Sequence, residues 1–286
     1  MSSKLNSTIL QISSYFLIIF STSLINAAEF INERVPTDFV ENGKKISLEI
    51  IIVKPNGPGP FPTIMFNHGS SGTGANPKYI KRSYNPNSVA FFFTKRGWMI
   101  AFPQRRGRGR SDGLYNEGLE PNRNGYSCSP QVSLTGMTRA LQDLDVVVKY
   151  LKGRSDVDGE KMLIGGISRG GILSIVYTGT HPDEFIGAIN FAGGWMGKRC
   201  SEMEAVHKIS FKRGSDFKKQ TIWLYGENDS HYSLKHCQNN FDLFVKSGGK
   251  GVFLSYYLPP GKDGHSLLYY PQIWMKDVDL FIKGIN

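Results

Sequence analysis

The sequence predicts a single α/β domain built on a doubly wound, mostly parallel sheet. Short apolar runs alternate along the chain with longer amphipathic ones, and this alternation is the main observation behind the prediction. The 286 residues are 40% hydrophobic and 12% aromatic, an ordinary composition for a globular protein with a substantial core. The chain contains no repeat, low-complexity tract or Pro/Ser-rich linker, which favours one domain.

The short apolar runs have the length of buried strands, and they are residues 47–53, 63–66, 99–102, 161–164, 187–191, 221–225 and 251–257. The longer runs have helical length, and they are residues 87–95, 133–151, 169–178, 233–246 and 272–283. Strands that alternate with helices need crossover connections, which produce a mostly parallel sheet with helices on both faces. Ligands of such sheets bind beyond the carboxyl ends of the strands, so functional residues are expected there.

The N-terminal residues 1–28 have the layout of a secretory signal peptide. Lys4 is their only charged residue, an apolar stretch follows it, and small residues lead to a cleavage site expected after Ala27 or Ala28. An uncleaved membrane anchor is the alternative, although its polar residues would make a poor spanning helix. We therefore expect residues 29–286 to form one domain that is secreted or periplasmic, without stable membrane insertion.

The formal net charge of +10 raises the question of a polyanionic partner. The densest basic cluster is QRRGRGR at 104–110, but its glycines and the following SDG are typical of a loop after a strand. No zinc-finger, RNA-motif or helix-turn-helix spacing accompanies the cluster. We expect no nucleic-acid partner.

A candidate nucleophile lies in the stretch Gly166-Ile-Ser168-Arg169-Gly170. It follows an apolar strand and opens a helix, which is the context that a GxSxG nucleophile elbow requires. Glycines leave room for a sharp turn that lifts the Ser168 hydroxyl above the sheet, where helix amides face it. The pattern alone is weak, but its place between strand and helix strengthens it.

A serine hydroxyl needs a base, and the base needs a carboxylate to orient it. Asp229 follows the strand at 221–225, and His265 lies on a glycine-bordered loop after the last strand. Both positions are at the carboxyl end of the sheet, in the chain order that this architecture requires. Glu227 and Asp263 compete for the role of the acid, and His231 competes for the role of the base.

An oxyanion hole is expected from the turn FNHGSSG at 66–72. The backbone NH of Ser70, or that of Gly69, would be one donor, and the NH of Arg169 would be the second. We expect His68 to support this turn structurally rather than to carry protons. The side chain of Arg169 has two interpretations: contact with an acidic substrate, or a solvated helix start.

Two segments should cover the strand ends and set specificity, namely residues 105–131 and the insertion 195–219. They offer four side chains as apolar surface for substrate, which are Tyr115, Tyr126, Trp195 and Met196. The expected pocket is shallow and partly open. His231, His236 and Cys237 lack a recognised metal-ligand spacing, so neither a metal nor another cofactor is expected.

The motifs HGSSG, RRGRGRSDG, GISRGG, GENDS and DGHS occur in this order across nearly all of residues 29–286. Through these motifs the sequence resembles the α/β-hydrolase superfamily, and within it the dienelactone hydrolase-like and prolyl oligopeptidase-like branch. The resemblance implies a sheet of about eight strands with an antiparallel strand near its start. It also implies the roles of nucleophile, acid and base for Ser168, Asp229 and His265. Dienelactone hydrolases proper carry cysteine as nucleophile, so serine at position 168 puts dienelactone as a substrate in doubt.

Two classes of function follow. The first is a secreted serine hydrolase that cleaves a small or medium carboxylic ester, with short peptides as the alternative substrate. The second is a binding protein that kept the fold without the chemistry. The complete set of Ser168, Asp229 and His265 favours the enzyme.

Three cysteines allow one internal bridge in an oxidising compartment. Cys237 falls inside the predicted helix 233–246, where a packed thiol needs no partner. Cys128 and Cys200 lie in the two segments expected to cover the pocket. We predict a disulfide between Cys128 and Cys200, with three free thiols as the alternative.

Overall fold

The computed structural model describes residues 28–72 and 74–285. The predicted signal peptide, residues 1–28, lies outside the described residues apart from Ala28. None of the helices in the described part of the chain is both long enough and apolar enough to cross a membrane.

Eight strands form one sheet, and they are β1 (Glu29–Glu41), β2 (Lys44–Lys54), β3 (Phe61–Asn67), β4 (Met99–Gln104), β5 (Val157–Ile167), β6 (Gly187–Phe191), β7 (Gln220–Gly226) and β8 (Lys250–Tyr256). Their order in the sheet is β1-β2-β4-β3-β5-β6-β7-β8. Strand β2 is antiparallel to both β1 and β4, and every pairing from β4 onward is parallel. The predicted doubly wound sheet, with antiparallel strands near its start, is confirmed.

In the described part of the chain, seven α-helices and one 3₁₀ helix accompany the sheet, and they are α1 (Pro77–Ile80), α2 (Asn87–Thr94), α3 (Pro130–Lys152), α4 (Arg169–Thr180), α5 (Met203–Gly214), α6 (Leu234–Lys246), the 3₁₀ helix (Gly264–Tyr269) and α7 (Pro271–Gly284). Helices α3 to α6 pack on one face, where Ile172, Phe211 and Phe244 are buried. Helices α2 and α7 cover the other face with side chains such as Phe92 and Trp274. Because helices cover both faces of the sheet, successive side chains of its central strands are apolar, which explains the short apolar runs in the sequence.

Strand β1 and helix α5 were not among the elements that periodicity predicted. β1 is an edge strand that pairs only with β2, and most of its side chains are exposed or half-buried, so it lacks an apolar run. α5 lies inside the insertion predicted at 195–219, and its buried face includes His207, Ser210 and Gly214. These residues interrupt the apolar stripe by which a helix is recognised.

The parallel strands deliver their following loops to one edge of the sheet. Gly69 and Ser70 follow β3, Ser168 follows β5, and Asp229 follows β7. His265 lies in the 3₁₀ helix after β8. The topology therefore brings the candidate residues to the same edge.

Candidate active site

Ser168 occupies the N-cap of α4 with φ 55° and ψ −120°, a backbone conformation that non-glycine residues rarely adopt. Its NH donates to the carbonyl of Phe191 at 2.9 Å, which helps to hold the turn. A Cβ added at Gly166 would lie 2.5 Å from the backbone of Gly170, and one added at Gly170 would lie 2.1 Å from the carbonyl of Asn67. Close approach of backbone therefore explains both glycines of the elbow.

Asp229 and His265 form a hydrogen-bonded pair, with Oδ2 of the carboxylate 2.8 Å from Nδ1 of the imidazole. The other carboxylate oxygen accepts the backbone NH groups of His231 at 2.7 Å and Tyr232 at 3.0 Å. The Asp229 side chain is 1% exposed and that of His265 16%. Because Nδ1–H donates to Asp229, Nε2 of His265 is left free to accept a proton.

The competing acids have other partners. Both oxygens of Asp263 accept from Ser230, and the carboxylate also accepts the NH of His265. Glu227 accepts the hydroxyl of Ser255 at 2.8 Å. Among the three carboxylates, the geometry thus selects Asp229 as the group that orients the His265 ring.

The competing histidine, His231, stacks on His265 with ring centroids 4.1 Å apart. Its Nδ1 lies 3.0 Å from the hydroxyl of Ser230 and 3.9 Å from Asp229. Ligand atoms of Asp229, His231 and His265 lie within 4.8 Å of one another, but the carboxylate oxygens already serve three hydrogen bonds. This arrangement suits a carboxylate that orients a base better than one that binds an ion.

Tyr232 lines the same cavity as Ser168. Its ring also packs edge-on against that of His265, with centroids 5.6 Å apart. Among the described residues, no direct hydrogen bond joins Ser168 Oγ to His265. Tyr232 is a site residue that the sequence did not single out.

The expected oxyanion turn lies against the nucleophile, since a Cβ on Gly69 would be 3.2 Å from that of Ser168. Two later NH groups of the turn already have acceptors. The NH of Ser71 donates to the Tyr126 hydroxyl, and the NH of Gly72 donates to the Ser70 hydroxyl. Within the described residues, the NH groups of Gly69, Ser70 and Arg169 have no acceptor. They are therefore available to a negatively charged oxygen.

His68 is fully buried beneath this turn and accepts the NH of Arg105 on Nε2 at 3.2 Å. Burial and the neighbouring charges of Arg105 and Arg108 hold the pKa of His68 well below its usual range. The ring is therefore a neutral support for the turn, in line with the structural role expected of it.

A cavity of about 600 Å³ opens at Ser168. Tyr126, Trp195 and Met196 line it, as predicted from the sequence, together with His231 and Tyr232.

Tyr115 differs from the prediction because it does not line this cavity. Its side chain is buried behind Tyr126, with the two hydroxyls 2.6 Å apart and Glu117 at 3.2 Å. Its polar end is thus used inside the protein, and the ring supports the cavity wall from behind.

Arg169 is neither a solvated helix start nor free for substrate. Its guanidinium lies over the rings of Tyr126 and Trp195, at 3.7 and 4.3 Å from their centroids. It donates to the carbonyl of Trp195 at 3.0 Å and lies 3.8 Å from the Glu117 carboxylate, which also pairs with Arg105 at 2.6 Å. Burial alone would raise the pKa of Glu117, but these arginines outweigh it and hold that pKa below its ordinary value.

Cys128 and Cys200 are joined by a disulfide, with their Cα atoms 5.1 Å apart. The bond links the loop before α3 to the segment after β6, the two segments that border the cavity. Cys237 is a buried free thiol on α6. This is the pairing that the sequence favoured.

A second cavity, of about 400 Å³, shares the lining residue Ser70 with the first. Arg82, Tyr84 and Arg108 line it, and Arg108 is only 6% exposed. Its Nε and Nη1 atoms, and the hydroxyl of Tyr84, are buried without a hydrogen-bond partner among the described residues. The pattern QRRGRGR predicts a loop, and its position directly after a strand is the signal that could have indicated an arginine at this cavity.

No protein-family model matches the chain. One curated relative, the poly(3-hydroxyalkanoate) depolymerase C of Paucimonas lemoignei, is 26% identical over 140 residues, which are 46% of this chain and 31% of that protein. The match thus spans about a third of the relative's length.

Solved structures resemble the fold over most of the chain. A structure described as a dienelactone hydrolase from Klebsiella pneumoniae has a TM-score of 0.55 at 17% identity, covering 86% of this chain and 90% of that one. The acetyl xylan esterase from Paenibacillus sp. R4 has a TM-score of 0.61 at 16% identity, with 90% and 89% covered. The acylaminoacyl peptidase from Pyrococcus horikoshii has a TM-score of 0.60 at 19% identity, with 91% and 41% covered. The described domain therefore has the α/β-hydrolase fold, as the motifs indicated.

Proposed function

We propose that this protein is a secreted serine hydrolase that cleaves a small or medium carboxylic ester through an acyl-enzyme. The observation that carries the proposal is the pairing of Asp229 with His265 at 2.8 Å, at the same edge of the sheet as a serine held at a strained elbow. A protein that only bound ligands would have no need for a buried carboxylate that orients an imidazole.

In the proposed reaction, Ser168 Oγ attacks the ester carbonyl while Nε2 of His265 takes its proton. Asp229 holds the ring by Nδ1–H and stabilises the imidazolium. The NH groups of Ser70 and Arg169 donate to the oxyanion. As the intermediate collapses, His265 gives the proton to the departing alcohol, and water then hydrolyses the acyl-enzyme with His265 again as base.

The names of similar proteins favour an ester over an amide as the substrate. The curated relative is named for a polyester, poly(3-hydroxyalkanoate), and one structural neighbour is an acetyl xylan esterase. Peptide hydrolysis is the second candidate, because another neighbour is an acylaminoacyl peptidase. The cavity of about 600 Å³ suits a small or medium acyl group in either case.

The second cavity favours esters that also carry a carboxylate. A buried guanidinium without a partner costs free energy unless an anion pairs with it. Nε and Nη1 of Arg108 are buried without a hydrogen-bond partner among the described residues, at the border of a cavity that shares Ser70 with the first one. A substrate carboxylate in this second cavity would pair with Arg108 and accept from Tyr84.

Export from the cytoplasm is part of the proposal. It is supported by the layout of residues 1–28 and by the disulfide, since such bonds persist in oxidising compartments.

A fluorophosphonate probe tests the nucleophile. Wild-type protein should be labelled at Ser168, and Ser168→Ala should lose labelling and roughly 10³-fold or more in activity while remaining folded. The matched control is Ser70→Ala, which keeps its backbone NH and should still be labelled. A folded wild type that stays unlabelled and inactive would refute the hydrolase.

The substrate class is tested with p-nitrophenyl esters of increasing acyl length and with aminoacyl p-nitroanilides. We expect ester turnover to exceed amide turnover for matched acyl groups. Faster amide turnover would establish the peptidase instead.

A further inference from the structure

The wall of the cavity beside Ser168 is held by a buried histidine on α5. The segment after β6 that contains Trp195 and Met196 belongs to neither a helix nor a strand. Its two successive NH groups both donate to Nε2 of His207, at 2.8 Å from Trp195 and 3.0 Å from Met196. His207 thus supplies the acceptor that regular secondary structure would otherwise supply.

These bonds define the proton positions on two histidines. Because Nε2 of His207 accepts two NH groups, its proton is on Nδ1, which lies 2.8 Å from Nε2 of His236 on α6. That nitrogen of His236 also receives the amide of Asn240 at 3.0 Å, so it too is an acceptor. A directed chain therefore runs from Asn240 and His207 to His236, and His207 is left with one tautomer.

The surroundings keep His207 neutral. Burial, with the nearby His236 and Arg169, lowers the pKa of His207 to about 3. Tyr232 also faces the ring, with centroids 5.3 Å apart, and Glu204 and Lys208 act on His236 from α5. Near neutral pH, His207 therefore stays an acceptor for the two NH groups.

The segment that contains Trp195 and Met196 is also hydrogen-bonded to Ser168 and Arg169 of the elbow. The carbonyl of Trp195 accepts from Arg169 at 3.0 Å, and the NH of Gly194 donates to the carbonyl of Ser168 at 3.2 Å. A shift of the segment would therefore change both the width of the cavity and the position of the elbow.

We propose that His207 is a positioning residue that sets the acyl specificity of the site by fixing Trp195 and Met196, without touching substrate itself. This inference rests on the proposed ester hydrolysis. Its structural part, the holding of the two amides, does not depend on any activity.

The test compares His207→Leu, which removes the acceptor, with His207→Gln, whose amide oxygen can occupy the place of Nε2. With esters of increasing acyl length, the Leu variant should raise KM about tenfold for the preferred acyl group and flatten the chain-length preference. In the Gln variant, KM for the preferred acyl group should lie within about threefold of the wild-type value, and the chain-length preference should return. The acid limb of kcat/KM should be the same in all three proteins, because His207 does not titrate there.

Amide hydrogen exchange supplies a readout without catalysis. Protection at Trp195 and Met196 should fall at least about tenfold in His207→Leu and recover in His207→Gln. If the wild type proves inactive but these amides behave as expected, the proposed function fails while the holding role stands. If the folded Leu variant keeps wild-type protection and chain-length preference, the inference is overturned.

His207→Leu can fail to fold, since the position is fully buried. In that case His207→Asn replaces it, because its shorter side chain cannot bring an acceptor to the place of Nε2. We expect the Asn variant to lose protection and preference where the Gln variant keeps them. Equal behaviour of the Asn and Gln variants would overturn the inference.

Discussion

Oδ2 of Asp229 lies 2.8 Å from Nδ1 of His265, although 36 residues separate them in the chain. The two residues follow adjacent parallel strands, β7 and β8, whose carboxyl ends deliver both loops to the same place. A second histidine, His231, lies close enough to stack on His265. The assignment of the base therefore needs an experiment that separates the two rings.

His265→Ala should lower kcat/KM for a short p-nitrophenyl ester by about 10³-fold or more, because the serine loses its base. His231→Ala is the matched control. It should cost less than about tenfold, since its Nδ1 faces Ser230 and half of its ring is exposed. Large loss in the His231 variant with activity retained in the His265 variant would reverse the assignment.

The second prediction concerns Arg108. Arg108→Met should reduce the preference for carboxylate-bearing over neutral esters by roughly tenfold or more, because a charge-assisted hydrogen bond is lost. It should change Tm little, since Nε and Nη1 have no hydrogen-bond partner among the described residues and the guanidinium lies as far as 5.8 Å from the Tyr115 ring centroid.

Arg110→Met is the control from the same loop, because the Arg110 side chain is exposed. Neither the preference nor Tm should change in that variant. If Arg108→Met unfolds the protein or leaves the ratio of the two ester classes intact, the guanidinium is structural and the second cavity does not bind anions.

The parts of the site that the sequence predicted are those with local signals. Ser168 lies between glycines that backbone contact requires, and Asp229 and His265 directly follow strands or glycine turns. Such signals depend on neighbours in the chain, so a single sequence reveals them. The pairing of Cys128 with Cys200 could be predicted because both cysteines lie in loops expected at the carboxyl end of the sheet.

The parts that the sequence could not supply depend on side-chain direction and distant contacts. Tyr115 and Tyr126 are both aromatic residues of one loop, yet only the second faces the cavity, because the first is bound behind it to Glu117. Tyr232 and His207 act through contacts made across the fold. Nothing in their local sequence distinguishes them from ordinary packed residues.

The third prediction is a pH dependence of stability at Glu117, which pairs with Arg105 inside the protein. Burial opposes ionisation, but the arginines hold the pKa of Glu117 below the ordinary value of 4.5. A lowered folded-state pKa means that the stabilisation is present above pH 4.5 and is lost as pH falls through the folded value. Glu117→Gln should thus lower the free energy of unfolding near pH 7 by about 3 kcal/mol.

Denaturant unfolding at several pH values measures this difference. The gap between wild type and Glu117→Gln should be constant at neutral pH and shrink below about pH 4.5. Glu160→Gln, at an exposed position, is the control, and its free energy of unfolding should differ little from that of wild type at any pH. A gap that widens on acidification would contradict the direction of the shift.

The fourth prediction concerns the disulfide between Cys128 and Cys200, which closes a loop with a sequence separation of 72. Replacing both by alanine should destabilise the protein by about 4 kcal/mol, because the unfolded chain is released from the constraint. Peptide mapping without reduction should recover the two cysteines in one linked fragment.

Cys237 is the internal control. It is buried, and burial raises the pKa of its thiol, so its alkylation should require unfolding. Protein from an oxidising compartment in which Cys128 reacts as a free thiol before denaturation would rule out the bond, and with it the link between the two segments that border the cavity.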